Sequence, residues 1–182
     1  TGTTSKFGME FDSLSDVIAF GVAPSILIYC SIGSQFGKFG ALVSALFVVF
    51  GAIRLARFNV TTVSEPNVFI GLPIPAASVF CVSWVLVIKG YALDQYTYVF
   101  LGVVLLVAFL MVSNIRYPSF KKLNALKQNF KKLLIIIITL LSVVYLYPAE
   151  GIALLSTLFI FGGIIRATYY IFRKRVSPTN IS

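Results

Sequence analysis

Residues 97–115 read TYVFLGVVLLVAFLMVSNI and contain no charged side chain. A helix needs about 20 mostly apolar residues to cross the hydrocarbon core of a bilayer, so this stretch predicts a transmembrane helix. The whole 182-residue chain has the same character, with 58% apolar residues, 12% charged residues and a mean hydropathy of +0.94. Because average soluble domains carry about 25% charged residues, the composition excludes soluble, disordered, collagen-like and disulfide-rich classes.

Five other stretches have similar apolar character. Together, the six predicted spans are residues 17–32, 39–53, 76–88, 97–115, 133–147 and 152–172. We therefore predict an all-α, polytopic transmembrane helical bundle that forms a single domain over residues 1–182.

The basic residues indicate how this bundle is oriented, since short loops rich in Lys and Arg stay in the cytoplasm. The connections on one side carry Arg54, Arg57, six bases within 116–132 and three within 173–175. The connections on the other side carry Lys38, Lys89 with Asp94, and Glu150. The net charge of +9 therefore reflects membrane topology, and we predict no nucleic-acid partner.

The segment 119–132 combines apolar residues at helical spacing with a polar face rich in lysine. Its apolar positions are Phe120, Leu123, Leu126 and Phe130. This pattern predicts a short amphipathic helix that lies on the cytoplasmic leaflet and contacts membrane lipids. A topology determinant on anionic headgroups and a regulatory lipid site both remain open.

Residues that are absent restrict the chemistry. The chain has no histidine, which removes histidine-based general bases, Ser-His-Asp triads and the commonest zinc sites. Cys30 and Cys81 stand alone in apolar surroundings without a Cys-x-x-Cys spacing, which favours simple packing roles. Acid–base or metal chemistry therefore falls to carboxylates.

Asp12 and Asp16 lie four residues apart at the start of the first predicted span, in the pattern Gly8-x3-Asp12-x3-Asp16. On a helix, this spacing places both carboxylates on one face, where they can hold a hard divalent cation. Acids favoured by the helix dipole are the structural alternative. Because Arg54, Arg57 and Arg116 end other spans on the same side, a phosphate-bearing substrate is favoured.

These residues carry a family resemblance. Gly8-x3-Asp12-x3-Asp16 resembles the second half of the CDP-alcohol phosphatidyltransferase signature, Asp-x2-Asp-Gly-x2-Ala-Arg-x8-Gly-x3-Asp-x3-Asp. Four further segments resemble one branch of that family, the bacterial and archaeal phosphatidylserine synthases: SDVIAFGVAP (15–24), RLARFN (54–59), GLPIPAA (71–77) and SNIRYP (113–118). The resemblance covers roughly the first two thirds of the chain.

The first half of the signature is not present, because counting back from Gly8 puts the family's arginine before Thr1. The resemblance therefore implies an N-terminally incomplete domain. A longer protein would add two more aspartates and about two spans, eight in all, and residues 1–182 alone would be inactive.

The resemblance implies the transfer of a phosphatidyl group from CDP-diacylglycerol to L-serine with release of CMP. Two divalent ions, Mg²⁺ or Mn²⁺, would assist this transfer. Asp12 would be a metal ligand, and Asp16 would remove the serine proton and contact the second metal. The implied nucleotide contacts are Gly8, Ser5 and Thr4. The candidates for binding serine are Arg57 as first choice, Arg54, Arg116 and Asn114.

The resemblance also implies a homodimer in a prokaryotic inner membrane, with its active site facing the cytoplasm. Two alternatives remain open at this point. One is a sister transferase that uses glycerol 3-phosphate or inositol phosphate as its alcohol. The other is a cation-coupled transporter, whose carboxylates should lie near the bilayer midplane.

Overall fold

The computed structural model describes residues 6–61, 68–118 and 130–176. In this part of the chain α1 and α2 are joined by a π-helical turn, Val17–Val22, into one continuous rod, and five more helices follow. The helices are α1 Lys6–Asp16, α2 Ala23–Ser31, α3 Gly37–Thr61, α4 Ile74–Gly90, α5 Thr97–Val112, α6 Phe130–Leu146 and α7 Pro148–Val176. Short 3-10 turns, Gly33–Phe36 and Asp94–Tyr96, precede α3 and α5.

The six predicted spans coincide with the α1–α2 rod and the five helices that follow it, which confirms the all-α class. Four of the apolar segments are long enough to cross a membrane: Phe7–Ser31, Gly33–Val60, Asp94–Val112 and Pro148–Arg166. Two shorter apolar segments are Ile74–Gly90 and Ile137–Leu146. The chain is therefore an integral membrane protein.

Two features differ from the predicted pattern or lie beyond it. A small antiparallel ribbon joins β1, Val68–Ile70, to β2, Arg116–Pro118, with Phe69 opposite Tyr117. Sequence patterns did not predict this ribbon, because each strand has only three residues. The predicted amphipathic helix falls largely on residues 119–129, outside the described residues, and its last three positions open α6.

Fully buried apolar side chains from several helices form one core. It includes Ile28 of α2, Phe47 of α3, Ile74 of α4 and Leu101 and Met111 of α5. Because lipid tails are as apolar as these side chains, close van der Waals packing holds the helices together inside a membrane.

Glycines allow α3 to approach closely both the turn that follows α2 and helix α4. A Cβ on Gly40 would overlap the backbone carbonyl of Gly33, and a Cβ on Gly51 would lie 2.6 Å from the Ile74 Cδ1 atom. Beside these contacts the buried Ser25 hydroxyl donates a hydrogen bond to the Ser44 carbonyl at 2.6 Å. Helix α2 and the turn that follows it are thus held against α3.

The end of the bundle opposite to Asp12 is tied by polar contacts. Lys89 pairs with Asp94 at 2.9 Å, and the Tyr91 hydroxyl donates a hydrogen bond to Glu150 Oε1 at 2.8 Å. That hydrogen bond, together with the charge of Glu150, raises the pKa of Tyr91 by favouring the protonated phenol.

We expect Gly40→Ala to lower the free energy of unfolding by about 1 to 3 kcal/mol, because its methyl group would push α3 away from the Gly33 backbone. Gly102→Ala is the matched control, since Gly102 lies within α5 with no atom within 4 Å of a built Cβ. It should be neutral or stabilise by up to about 1 kcal/mol. Thermal unfolding of both variants in mild detergent measures the difference, and equal midpoints would contradict the close approach of α3 to the Gly33 backbone.

Candidate functional site

Helix α1 carries Asp12 and Asp16 one turn apart on the same face, as the sequence spacing predicts. Side chains at this spacing have Cβ atoms about 5 to 6 Å apart. Asp12 is exposed, whereas Asp16 is half-buried. The two carboxylates can therefore act on one ligand approaching from the open side.

A hydrogen bond fixes the height of this pair in the bundle. The Asn59 side-chain amide, near the end of α3, donates to the Ser13 hydroxyl at 2.8 Å. Ser13 in turn donates to the Met9 carbonyl at 3.1 Å within α1. Since the apolar span of α3 ends at Val60, Asp12 lies at the edge of the apolar zone. Neither Asn59 nor Ser13 was singled out from the sequence, because only their contact between α1 and α3 reveals their role.

Arg54 of α3 is a buried cation that interacts electrostatically with this pair through Asp16. Its side chain is only 7% exposed, and its Nε atom has no hydrogen-bond partner within residues 6–61, 68–118 and 130–176. The charge of Asp16 acts on it electrostatically. The contact is not a direct ion pair, because Lys89–Asp94 is the only pair within 4 Å among the described side chains. The guanidinium carbon lies 5.9 Å from the centre of the Phe58 ring.

Arg57, one turn further along α3, binds the end of α5 instead. Its Nη1 donates to the Val112 carbonyl at 3.3 Å, and its Nη2 donates to Asn114 Oδ1 at 2.5 Å. We call this arrangement, Arg57 with Val112 and Asn114, the latch. The latch brings together two residues predicted to bind serine and joins them by a hydrogen bond.

Arg116 opens β2 directly after the latch, opposite Ile70 in the ribbon. Its side chain is outside the described part of the structure. Gly71 leaves the ribbon with a φ of +78° and donates its N–H to the Ile115 carbonyl at 2.8 Å. A Cβ at Gly71 would overlap the Met111 carbonyl, so only glycine allows this approach. The ribbon thus closes the same end of the bundle as Asp12 and Asp16.

The predicted nucleotide-binding residues are only partly within the described region. Gly8 is exposed on α1, one turn before Asp12. Thr4 and Ser5 lie outside the described residues, so their predicted contacts stay predictions.

The acid pair provides part of a metal site. Carboxylate oxygens are the ligands that Mg²⁺ prefers, and Asp12 is open to solvent. Among the described residues no group of three or more His, Cys, Asp or Glu side chains is close enough to hold an ion. The donor type therefore fits a hard divalent cation, and the other ligands would come from water, from the substrate or from residues that are not described.

A protein-family model matches the part of the chain that contains this site. The model described as CDP-alcohol phosphatidyltransferase matches residues 1–112, which include α1 to α5 with Asp12, Asp16 and both Arg54 and Arg57.

Curated proteins from bacteria and archaea are similar to the chain. A CDP-diacylglycerol–serine O-phosphatidyltransferase of Helicobacter pylori strain J99 is 54% identical over 91% of this chain and 70% of its own length. The protein of the same name from Methanocaldococcus jannaschii is 42% identical over 66% of this chain and 54% of its own length. An archaetidylserine synthase of Methanothermobacter thermautotrophicus is 44% identical over 65% of this chain and 48% of its own length.

The latch predicts energetic coupling between Arg57 and Asn114. We expect Arg57→Gln and Asn114→Ala to be non-additive, with a coupling energy of about 1.5 to 3 kcal/mol, because the hydrogen bond involves a charged donor. Unfolding of the single and double variants in detergent measures this energy.

The control is Trp84→Phe, which removes the hydrogen bond of 3.0 Å from Trp84 to Thr157 between α4 and α7. Its effect should add to that of Arg57→Gln, since the two sites share no partner. Additive losses for Arg57 and Asn114 would show that the latch does not stabilise the fold.

Proposed function

The chain belongs to the CDP-alcohol phosphatidyltransferase family, and from this premise we propose that it transfers the phosphatidyl group of CDP-diacylglycerol to the hydroxyl group of L-serine with release of CMP. One structural observation carries the chemistry: Asp12 and Asp16 lie one turn apart beside the buried cation Arg54. The choice of alcohol follows from the names of the relatives.

The position of the acid pair supports a reaction at a membrane surface. Asp12 is exposed, and the Asn59–Ser13 bond holds it level with the end of the apolar span of α3. A lipid-linked nucleotide presents its pyrophosphate at this level, because its acyl chains stay in the bilayer. A coupling-ion site of a transporter is expected near the midplane instead, so the transporter alternative is not favoured.

Asp12 and Asp16 would hold a divalent cation, Mg²⁺ or Mn²⁺, with two ions in the complete site. Such ions neutralise the pyrophosphate and stabilise the departing phosphate of CMP. The chain's own contribution is to hold the two carboxylates in register. The α1 backbone fixes their spacing, and the bond from Asn59 to Ser13 fixes α1 on α3.

Asp16 is the residue we assign to the serine proton. Its carboxylate is half-buried, while that of Asp12 is exposed, so Asp16 lies nearer to the end of a small alcohol bound in the bundle. A free aspartate has a pKa near 3.9 and is a weak base, so close geometry to the hydroxyl has to supply much of its effect. The attacking oxygen forms a bond to phosphorus, the bond to CMP breaks, and the proton passes to Asp16.

Serine is supported as the acceptor by the names of the related enzymes. The lipid differs between an archaetidylserine synthase and a CDP-diacylglycerol–serine transferase, whereas both names contain serine. Glycerol 3-phosphate and inositol phosphate add a phosphate group, and the described part of the site offers Arg54 but ties Arg57 into the latch. The described residues therefore favour an acceptor with a single carboxylate.

We further propose a prokaryotic inner-membrane location with the Asp12 end facing the cytoplasm. The support is the charge pattern, since Arg54, Arg57 and the bases within 116–132 belong to this end. The homodimer is proposed on the resemblance alone.

The first test measures CMP release from CDP-diacylglycerol by the full-length protein in membranes with Mg²⁺ or Mn²⁺. We expect release with L-serine and not with glycerol 3-phosphate or inositol phosphate, and we expect EDTA to abolish it because the acid pair then lacks its cation. Faster release with either phosphorylated alcohol would favour a sister transferase. Absence of release with all three would refute the transferase assignment.

The second test replaces Asp16 by asparagine, which keeps its size and removes the proton acceptor. We expect turnover to fall by about a hundredfold or more, the usual effect of losing a general base, while CDP-diacylglycerol still binds. Asp94→Asn is the matched control, because this aspartate pairs with Lys89 at the opposite end of the bundle and is 57% exposed. Its turnover should be unchanged, and wild-type turnover of Asp16→Asn would remove Asp16 from the mechanism.

A further inference from the structure

Arg54 is a buried cation whose hydrogen bonds the described part of the fold does not supply in full. Its side chain is more than nine-tenths buried in an apolar bundle, and its Nε has no partner within residues 6–61, 68–118 and 130–176. Burying an unpaired charge costs several kcal/mol, so such groups are normally paired or hydrogen-bonded. An unsatisfied donor in a native structure calls for a missing water or ligand.

We propose that Arg54, rather than Arg57, binds the carboxylate of the acceptor alcohol and thereby selects serine. The proposal rests on the proposed function and assigns its substrate specificity to one side chain. A guanidinium presents several N–H donors in a planar fork that matches a carboxylate. It also remains protonated at all physiological pH values, which suits it to a buried anion-binding site.

Arg54 and Asp16 are separated by more than the 4 Å of an ion pair, which leaves space for a ligand between their charges. Asp16 acts on Arg54 through its charge, yet no ion pair within 4 Å joins them. In serine the hydroxyl oxygen and the carboxylate carbon are three bonds apart, or roughly 3 to 4 Å. A serine with its carboxylate on Arg54 can therefore direct its hydroxyl toward Asp16.

Arg57 is the less suitable residue because both of its terminal nitrogens already donate hydrogen bonds in the latch. Its Nη1 and Nη2 bind Val112 and Asn114, so serine binding there would break the latch. Arg57 is also three residues nearer to the end of α3, which is about 4.5 Å along the helix axis. Arg54 lies deeper along α3, and the charge of Asp16 acts on it.

The consequence is selectivity against alcohols without a carboxylate. An analogue that lacks this group leaves the buried Arg54 without its counter-charge, and sites built for a polar group reject such analogues strongly. L-Serinamide is a suitable probe, because it keeps the hydroxyl and amino groups of serine and replaces the carboxylate by a neutral amide.

The experiment compares kcat/KM for L-serine and L-serinamide in the full-length protein and in two arginine variants. We expect Arg54→Gln to raise the KM for serine at least tenfold and to bring the serine-to-serinamide ratio at least tenfold closer to one. Arg54→Lys keeps the charge without the fork, so its ratio should lie between those of the wild type and Arg54→Gln. The KM for CDP-diacylglycerol should change less than twofold.

Arg57→Gln is the matched control from the same helix. It breaks the latch and should lower the activity with both alcohols by the same factor, leaving their ratio unchanged. An equal loss for both alcohols in Arg54→Gln, including a complete loss, overturns the proposal. So does a rise confined to the KM for CDP-diacylglycerol, since the bound oxyanion would then be a phosphate. If the wild type releases no CMP with serine, the proposed function itself fails.

Discussion

A charged guanidinium buried in an apolar helix bundle is the constraint on which the polar end of this protein depends. Hydrocarbon provides neither water nor hydrogen-bond partners, so each charge at this end needs a fixed counterpart from the protein or from a ligand. Arg57 has such partners at the end of α5. Among the described residues, Arg54 has only the charge of Asp16 at a distance and the ring of Phe58 beside it. The hydrogen bonds of Arg57 thus stabilise the fold at this end, whereas the charge of Arg54 has no directly bonded partner among the described residues.

Close packing away from the site makes this arrangement possible. The bond from Ser25 to Ser44 holds α2 against α3, and the approach of Gly33 to Gly40 holds the turn after α2 against α3, in both places without large side chains. The rod α1–α2 continues from this contact, so its direction sets where Asp12 and Asp16 emerge. The Asn59–Ser13 bond then fixes the emerging turn. Positioning of the acids therefore begins far from them, in the small residues of the bundle.

The helices were predictable from sequence because apolar runs such as 97–115 have few alternatives in a bilayer. The acid pair was predictable as well, since Asp12 and Asp16 share a helical face whatever surrounds them. The ribbon of Val68–Ile70 with Arg116–Pro118 was not, because three-residue strands leave no periodic signal. The sequence also did not distinguish the roles of Arg54 and Arg57, because they lie one turn apart in the same basic segment. Their difference arises from contacts with α1 and α5, which are distant in the chain.

The division of roles between these two arginines explains how one short segment serves both folding and recognition. Residues three apart on a helix face similar directions, but they differ in depth by almost one turn. The outer residue, Arg57, reaches the end of α5 and stabilises the junction that leads into the ribbon. The inner residue, Arg54, stays in the bundle beside Asp16. The latch keeps α3 and α5 in place, so Arg54 does not have to reorganise when an anionic group binds. Such preorganisation makes an electrostatic contact effective in a reaction.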